Sequence, residues 1–170
     1  LVTNLTGARD NLTEFYEEEY ALHEESAESE TAIYTEESQT TTSKAVASFI
    51  LQHWESGRNP RILDFGCGKG LLLEQLALAI PEVELTGIEP NQWAKKRIKA
   101  NSNLDRVRLT ELDDLLESGE QFDLVASNNV LEHVADPAVV LAHLRKLVAD
   151  GGHFFTGVPN FEANPLDLFQ

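Results

Sequence analysis

One short stretch, residues 61–70, constrains the fold of this chain more than any other segment. Its first half is apolar and rich in strand-forming residues, which predicts a buried β-strand. Its second half carries glycines at alternate positions, Gly66, Gly68 and Gly70, where the backbone must turn tightly and a ligand must come close. The apolar residues 71–80 predict a helix directly after the turn. This order of strand, glycine turn and helix is typical of a parallel α/β sheet.

A second predicted strand, residues 83–88, ends in an acid, Glu89. A glycine turn at one strand tip and an acid at the next is how a doubly wound sheet binds an adenosine-containing cofactor, because the acid accepts both ribose hydroxyl groups. Predicted strands and helices continue to alternate as far as Val158. The chain is therefore expected to form an α/β fold, a Rossmann-like doubly wound sheet that is mainly parallel.

The glycine spacing distinguishes between two kinds of cofactor. A dinucleotide site has the pattern G-x-G-x-x-G, whose third glycine lets the helix pack closely behind the pyrophosphate. Leu71 stands at that third position here, and Asp64 precedes the first glycine by two residues. A carboxylate at this point is unfavourable beside a pyrophosphate but suits a cationic ligand, such as one with an ammonium and a sulfonium group. A nicotinamide-dependent oxidoreductase is therefore the less favoured alternative.

With these residues the chain resembles the class I S-adenosylmethionine-dependent methyltransferases of the small-molecule type. The family's first motif is written here as LDFGCGKG at residues 63–70, and its second as GIEPN at residues 87–91. Segments similar to the later motifs follow in the same order, at residues 112–114, 122–134 and 147–155.

The resemblance covers roughly residues 44–160 and implies five strands in the order 3-2-1-4-5, with the family's last two strands missing. Residues 43–160 are expected to form the S-adenosylmethionine-binding core, and residues 161–170 a truncated carboxyl-terminal tail. Residues 1–42 are acidic and carry aromatic side chains, and we expect them to form a largely helical cap or lid. A homodimer or a missing carboxyl-terminal part is expected to cover the exposed sheet edge.

The resemblance also implies a set of cofactor-binding residues in the loops that follow the strands: Asp64, Gly66, Cys67, Gly68, Gly70, Glu89, Pro90, Asn91, Leu112, Asp113 and Asn128. Asp64 and the glycine turn would hold the methionine part of the cofactor, and the backbone carbonyl of Asn128 would accept from its ammonium group. Glu89 would bind the ribose. Pro90 and Asn91 would lie beside the adenine, with Asp113 near its amino group.

Methyl transfer to an O, N or C atom of a small-molecule acceptor is the chemistry that the resemblance implies. His133 is the candidate catalytic base, because histidine titrates near neutral pH and this segment borders the cofactor. A structural role is the alternative, in which His133 packs under the helix predicted at residues 137–148 and Glu132 holds its orientation. For the whole chain, the alternative is a non-catalytic cofactor-binding or assembly module, because the family's acceptor pocket draws on the missing strands.

Charge and composition argue against several classes of partner. The 170 residues carry a formal net charge of −16, which would repel nucleic acid. No apolar run is long enough to span a membrane. Cys67 is the single cysteine, so an internal disulfide is excluded, and it is expected to fill the turn and not to act as a nucleophile. These features predict a cytoplasmic enzyme with no metal site.

Four predictions concern the caps and the buried faces of helices. Ser43 is predicted to cap one helix, and Asn91 to cap the helix at residues 92–100. The helix after Ser43 is expected to turn one face to the core: Val46, Phe49, Ile50, His53 and Trp54. The helix at residues 137–148 is expected to bury another apolar stripe: Val140, Leu141, Leu144, Leu147 and Val148.

Overall fold

A computed structural model describes residues 32–34, 39–55 and 57–159 of the chain. Its central feature is a five-stranded sheet made of β3 (Arg61–Phe65), β4 (Glu84–Ile88), β5 (Arg108–Thr110), β6 (Phe122–Asn128) and β7 (Val148–Gly157). The strands lie in the order β5-β4-β3-β6-β7, and all four pairings are parallel. The predicted α/β class and the predicted strand order 3-2-1-4-5 are therefore confirmed.

Helices connect these strands: α1 (Thr42–His53), α2 (Leu71–Ala79), α3 (Gln92–Ala100), α4 (Leu112–Ser118) and α5 (Pro137–Leu147). A short 3-10 helix, Ser102–Leu104, follows α3. The predicted bounds of α2, α3 and α5 lie within about a residue of the observed ones, because apolar periodicity and the flanking glycine, proline and asparagine residues are local signals.

Apolar side chains from the helices cover both faces of the sheet. On one face α1, α2 and α3 pack on the strands through a cluster that includes Ile50, Leu73, Leu76, Ile98, Ile62 and Leu124. On the other face α4 and α5 pack through Leu115, Leu144 and Leu147 against Leu63 and Val125. Because both faces of the sheet are buried, the sequences of the central strands are almost continuously apolar.

The segment before the sheet differs from its prediction where it is described. Strands β1 (Ala32–Tyr34) and β2 (Gln39–Thr41) form an antiparallel pair, with Ile33 opposite Thr40. The prediction of a largely helical segment is wrong for these residues, because period-2 pairing of short β-branched stretches prevails over helix propensity here. The aromatic side chains considered for a lid, Phe15, Tyr16 and Tyr20, lie outside the described residues.

Helix α1 begins two residues earlier than predicted, and its inward face differs from the prediction at two positions. Thr41 is the N-cap, so Ser43 does not cap the helix but lies buried inside its first turn. Phe49 is 51% exposed, and its ring stacks on the ring of His53 at a centroid distance of 4.2 Å. The predicted stripe is therefore wrong at these two aromatic positions. The prediction is confirmed at Ile50 and Trp54, which are buried, and at Val46, which packs against the same cluster, while Ala47 joins this buried face.

Helix α5 follows its predicted stripe with one exception. Leu144 and Leu147 are fully buried, and Val140 and Val148 pack against the same cluster. Leu141 is 38% exposed, so the prediction for this residue is wrong. Within the described part of the chain, no helix combines the length and the apolar character that crossing a bilayer requires.

Candidate functional site

The carboxyl ends of the parallel strands bring the candidate residues to one edge of the sheet. The turn after β3 is joined to the end of β4, because the backbone amides of Gly66 and Cys67 both donate to the carbonyl oxygen of Ile88, at 2.8 and 3.0 Å. The segment after β6 lies against the same turn, since a Cβ atom added at Gly66 would come within 2.4 Å of Val130. Three loops therefore meet around the glycine turn.

The glycines of this turn have left-handed backbones but different surroundings. Gly66, Gly68 and Gly70 have φ angles of 75°, 51° and 77°, which side-chain-bearing residues rarely adopt. A Cβ atom at Gly70 would lie 2.8 Å from Leu104, whereas one at Gly68 would meet nothing within 4 Å. The turn is therefore packed at its two ends and open at Gly68, where a ligand has room to approach the backbone.

Glu89 is buried at the tip of β4 and joins two loops. Its side chain accepts two hydrogen bonds of 2.8 Å, one from the backbone amide of Gly68 and one from that of Asn91. Asn91 in turn caps α3, since its Oδ1 atom accepts from the amide of Ala94 at 2.9 Å. The predicted cap is thus confirmed, and Glu89 is held between the glycine turn and the start of α3.

Asp64 has the most unusual environment of the candidate residues. It is 3% exposed, and its register partners in β4 and β6 are Gly87 and Ala126, which carry no charge. Burial raises the pKa of the carboxyl group from 3.8 to about 7, and the negative charge of Glu89 adds to this effect. Over the described ranges, no hydrogen bond to this carboxyl group is present. An acid in this state is suited to a cationic partner.

Cys67 lies buried between the two strand tips. Its sulfur atom occupies the space over Gly87, where an added Cβ atom would lie only 2.6 Å away. Burial, followed by the charges of Asp64 and Glu89, raises the pKa of the thiol well above its ordinary value. A neutral, buried thiol is a poor nucleophile, so this environment favours the interpretation of Cys67 as a turn-filling side chain.

The segment after β6 carries the candidate base. Asn129 has a left-handed backbone, with a φ angle of 55°, and its amide donates to the carbonyl oxygen of Gly157. The amide of His133 donates to the carbonyl oxygen of Val130, and its Nε2 atom lies 3.8 Å from Glu132 Oε1. The side chain of His133 is 44% exposed, which disfavours the alternative of a histidine packed under α5.

The remaining predicted residues lie at the same edge of the sheet. Pro90 is exposed between Glu89 and Asn91, and Asn128 ends β6 with its side chain against Gly157. Asp113 is exposed in the first turn of α4, and the preceding Leu112 packs on the core. An ion pair of 2.7 Å between Lys95 and Glu111 ties this helix start to α3.

Two residues beside these loops were not predicted from the sequence. The ring of Trp93 lies under the cations of Lys69 and Arg97, at 5.1 and 5.6 Å from its centroid. The spacing of four between Trp93 and Arg97 is a signal that could have indicated this contact. The Ser127 hydroxyl is fully buried without a hydrogen-bond partner among the described residues. A local sequence pattern cannot predict a buried hydroxyl group of this kind, because its burial depends on the packing of elements that are distant in the chain.

A cavity of about 500 Å³ opens at the opposite edge of the sheet, away from these loops. Its lining includes Arg61, Arg108 and Glu120, and both arginines form an ion pair with Glu120. Arg61 also lies over the ring of Phe122, at 5.2 Å from its centroid. These contacts join the amino ends of the strands, so we assign them a structural role.

Comparison with known proteins agrees with this arrangement. The sequence model of a family described as a methyltransferase domain matches residues 36–167. Among curated proteins, the chain is similar to the ubiquinone biosynthesis O-methyltransferase of Vibrio atlanticus, with 31% identity over 118 residues, 66% of this chain and 49% of that protein. The enzyme of the same name from Mesorhizobium japonicum is 37% identical over 110 residues, 64% of this chain and 44% of that protein. The chain therefore spans less than half the length of these relatives.

Two solved structures share the fold. Coclaurine N-methyltransferase bound to N-methylheliamine and SAH matches 85% of this chain and 43% of its own, with a TM-score of 0.62 and 17% identity. The plantazolicin methyltransferase BpumL, in complex with a triazolic desmethylPZN analog and SAH, matches 68% of this chain and 44% of its own, with a TM-score of 0.56 and 18% identity. At this level of identity the two structures support the architecture alone.

Proposed function

Since this chain belongs to the methyltransferase domain family of class I, which uses S-adenosylmethionine, we propose that it forms the cofactor-binding core of an enzyme that methylates a small molecule. The observation that carries the proposal is the buried acid Asp64, which has no hydrogen bond to its carboxyl group in the described part of the chain, beside the open backbone at Gly68. A sulfonium cofactor with an ammonium group supplies the positive charge that such an acid favours.

The other loops fit the remaining parts of this cofactor. We assign the ribose to Glu89, because its carboxylate already binds the turn and is held at the strand tip by Gly68 and Asn91. The backbone carbonyl of Asn128 is assigned to the ammonium group, and Pro90, Asn91, Leu112 and Asp113 to the adenine end. A pyrophosphate would fit less well, because it would place negative charge against Asp64 and Glu89.

The bound cofactor supplies an electrophilic methyl group, and the chain supplies alignment and exclusion of water. Alignment of two reactants can account for roughly 7–11 kcal/mol of barrier reduction. Hydrogen bonds join the loop after β3 to the end of β4, and Val130 of the loop after β6 lies against the glycine turn, so the three loops are suited to hold the cofactor in a single orientation. Most of the catalytic effect is therefore assigned to positioning.

We assign the proton-accepting step to His133, oriented by Glu132. The segment that carries it lies against the glycine turn through Val130, and the side chain of His133 is 44% exposed. The names of the curated relatives favour an oxygen atom as the methyl acceptor, and a hydroxyl group must lose a proton during transfer. Full methyl transfer by a His133→Gln variant would contradict this role.

Calorimetric titration of the 170-residue chain with S-adenosylhomocysteine tests the cofactor assignment. We expect micromolar binding and no competition from NAD. Glu89→Gln should weaken binding by roughly 10- to 100-fold, because charged hydrogen bonds to the ribose contribute about 1.5–3 kcal/mol each.

Glu117→Gln is the matched control, because Glu117 is an exposed acid in the last turn of α4 and is not among the residues assigned to the cofactor. This variant should bind S-adenosylhomocysteine as tightly as the unchanged chain does. Circular dichroism establishes that each variant is folded. A folded chain that binds NAD and not S-adenosylhomocysteine would overturn the proposal.

A further inference from the structure

The segment between β6 and the candidate base, residues 129–133, is fixed at its start to the end of β7. Its first residue, Asn129, donates its amide to the carbonyl oxygen of Gly157, at 2.9 Å. The preceding side chain lies against the same glycine, because a Cβ atom added at Gly157 would overlap Asn128 Oδ1. These two contacts hold the carboxyl ends of β6 and β7 side by side.

The same segment is also fixed to the glycine turn. Val130 fills the space over Gly66, and the next residue, Leu131, is buried. A turn hydrogen bond of 2.9 Å then joins the amide of His133 to the carbonyl oxygen of Val130. The position of His133 relative to the glycine turn therefore depends on the direction in which the chain leaves β6.

That direction is set at Asn129, where the chain bends. Its φ angle of 55° lies in the left-handed region, which asparagine adopts more readily than most residues that carry a side chain. Asn129 is exposed, so a substitution here changes the backbone preference without changing the packing of the core. Residues in such backbone conformations persist where the surrounding contacts impose them, and they cluster at functional sites.

We propose that Asn129 is a positioning residue for methyl transfer. Its left-handed backbone directs residues 130–133 toward the glycine turn and places the imidazole of His133 beside the methyl group of the bound cofactor. The inference rests on the proposed function, since it takes S-adenosylmethionine as the ligand and His133 as the base. Asn129 acts through the placement of this base, which must come within hydrogen-bond reach of the proton that it accepts.

Two substitutions of Asn129 should have opposite effects on this placement. Asn129→Val should favour a negative φ angle, because a β-branched residue is a steric outlier in the left-handed region. The hydrogen bond to Gly157 would then break, and the chain would carry His133 in another direction. Asn129→Gly should preserve the bend, since glycine adopts positive φ angles without strain.

Nuclear Overhauser spectra of the 170-residue chain measure the placement of the base directly. The probe is S-adenosylmethionine with an isotope-labelled methyl group, and a His133→Gln variant assigns the imidazole signals. The unchanged chain and Asn129→Gly should show a cross-peak between this methyl group and the imidazole protons of His133. Asn129→Val should lose the cross-peak, while its affinity for S-adenosylmethionine falls by less than about tenfold, because Glu89 keeps its two hydrogen bonds.

Asn59→Val is the matched control. Asn59 is also exposed and left-handed, with a φ angle of 52°, but it precedes β3 at the amino ends of the strands. This variant should keep the cross-peak, and circular dichroism establishes that each variant is folded. If Asn129→Val does not fold, Asn129→Ala provides the same comparison with less strain.

A cross-peak of equal intensity in the Asn129→Val and Asn59→Val variants would overturn the inference and leave the proposed function standing. Binding of S-adenosylmethionine by the unchanged chain without a cross-peak would overturn the placement of His133, and the inference with it, but not the cofactor assignment. Failure of the folded chain to bind S-adenosylmethionine or S-adenosylhomocysteine would overturn the proposed function and the inference together.

Discussion

Gly66 and Gly68 have similar backbone conformations but different surroundings. We therefore assign one glycine to the packing of the fold and the other to ligand binding. Both have left-handed φ angles, so either would be strained by a side chain. Only Gly66 is packed against Val130, whereas the space over Gly68 is open. The alternate glycines were predicted from the sequence as a turn for a ligand. The division of roles between them depends on the segment after β6, which lies about sixty residues away in the chain.

Alanine substitutions should separate the two roles. Gly66→Ala should lower the free energy of unfolding by about 2–4 kcal/mol, because backbone strain adds to the clash with Val130. Gly68→Ala should cost about 1–2 kcal/mol from strain alone, yet weaken S-adenosylhomocysteine binding at least about tenfold, since its methyl group would enter the open face. Urea denaturation and calorimetric titration measure the two effects.

Gly119→Ala is the matched control for strain. Gly119 has a φ angle of 67° and open space around it, and it ends α4 away from the three loops. It should show the same loss of stability as Gly68→Ala and unchanged binding. Equal ligand affinity for Gly68→Ala and Gly119→Ala would show that the cofactor does not lie against the turn.

At the level of elements, the starts of α3 and α5 use the same capping chemistry at different places. Asn91 accepts a hydrogen bond from Ala94, and Asp136 accepts from Ala138 and Val139. The cap of α3 is buried beside Glu89, whereas that of α5 is exposed. The Asn91 cap was predicted because it follows from local sequence. The prediction for the inward face of α1 was wrong at Phe49 and His53, because burial at these positions depends on tertiary packing.

Removal of each cap should therefore have a different effect on binding. Asn91→Ala and Asp136→Ala should each lower the free energy of unfolding by about 1 kcal/mol, the usual effect of a lost N-cap. Only Asn91→Ala should also weaken S-adenosylhomocysteine binding severalfold, because fraying of α3 loosens the amide that holds Glu89. Thermal denaturation and calorimetry provide the comparison. Equal ligand affinity in the two variants would contradict a role for the α3 start in the site.

At the scale of the whole molecule, charged side chains are paired differently at the amino ends of the strands and at their carboxyl ends. At the amino edge, Glu120 is bound by Arg61 and Arg108. At the carboxyl ends, the charge that acts on Asp64 among the described residues is the like charge of Glu89. Because folding raises the pKa of Asp64, the native state holds a proton that the unfolded chain gives up above pH 3.8. Stability is therefore lost as the pH rises from about 4 to above 7.

Asp64→Asn should remove this pH dependence. Near pH 3 the variant and the unchanged chain should be similarly stable, since the acid is mostly protonated in both the native and the unfolded chain. Near pH 8 the variant should be more stable by up to about 4 kcal/mol, because folding raises the pKa of the carboxyl group from 3.8 to about 7. Urea denaturation across this pH range measures the difference, and a constant difference at all pH values would contradict the assignment.

The sequence by itself determined the order of strands and helices in the parallel sheet, the glycine turn, the acids at the ends of β3 and β4 and the cap of α3. These features depend on periodicity, backbone freedom and neighbouring residues, which are all local in the chain. The tertiary structure alone decided that Phe49 of α1 is exposed, that Gly68 is open while Gly66 is packed, and that Asp64 has a pKa of about 7. The physical reason is that burial and charge repulsion arise between strand ends that are distant in sequence and adjacent only after the sheet has formed.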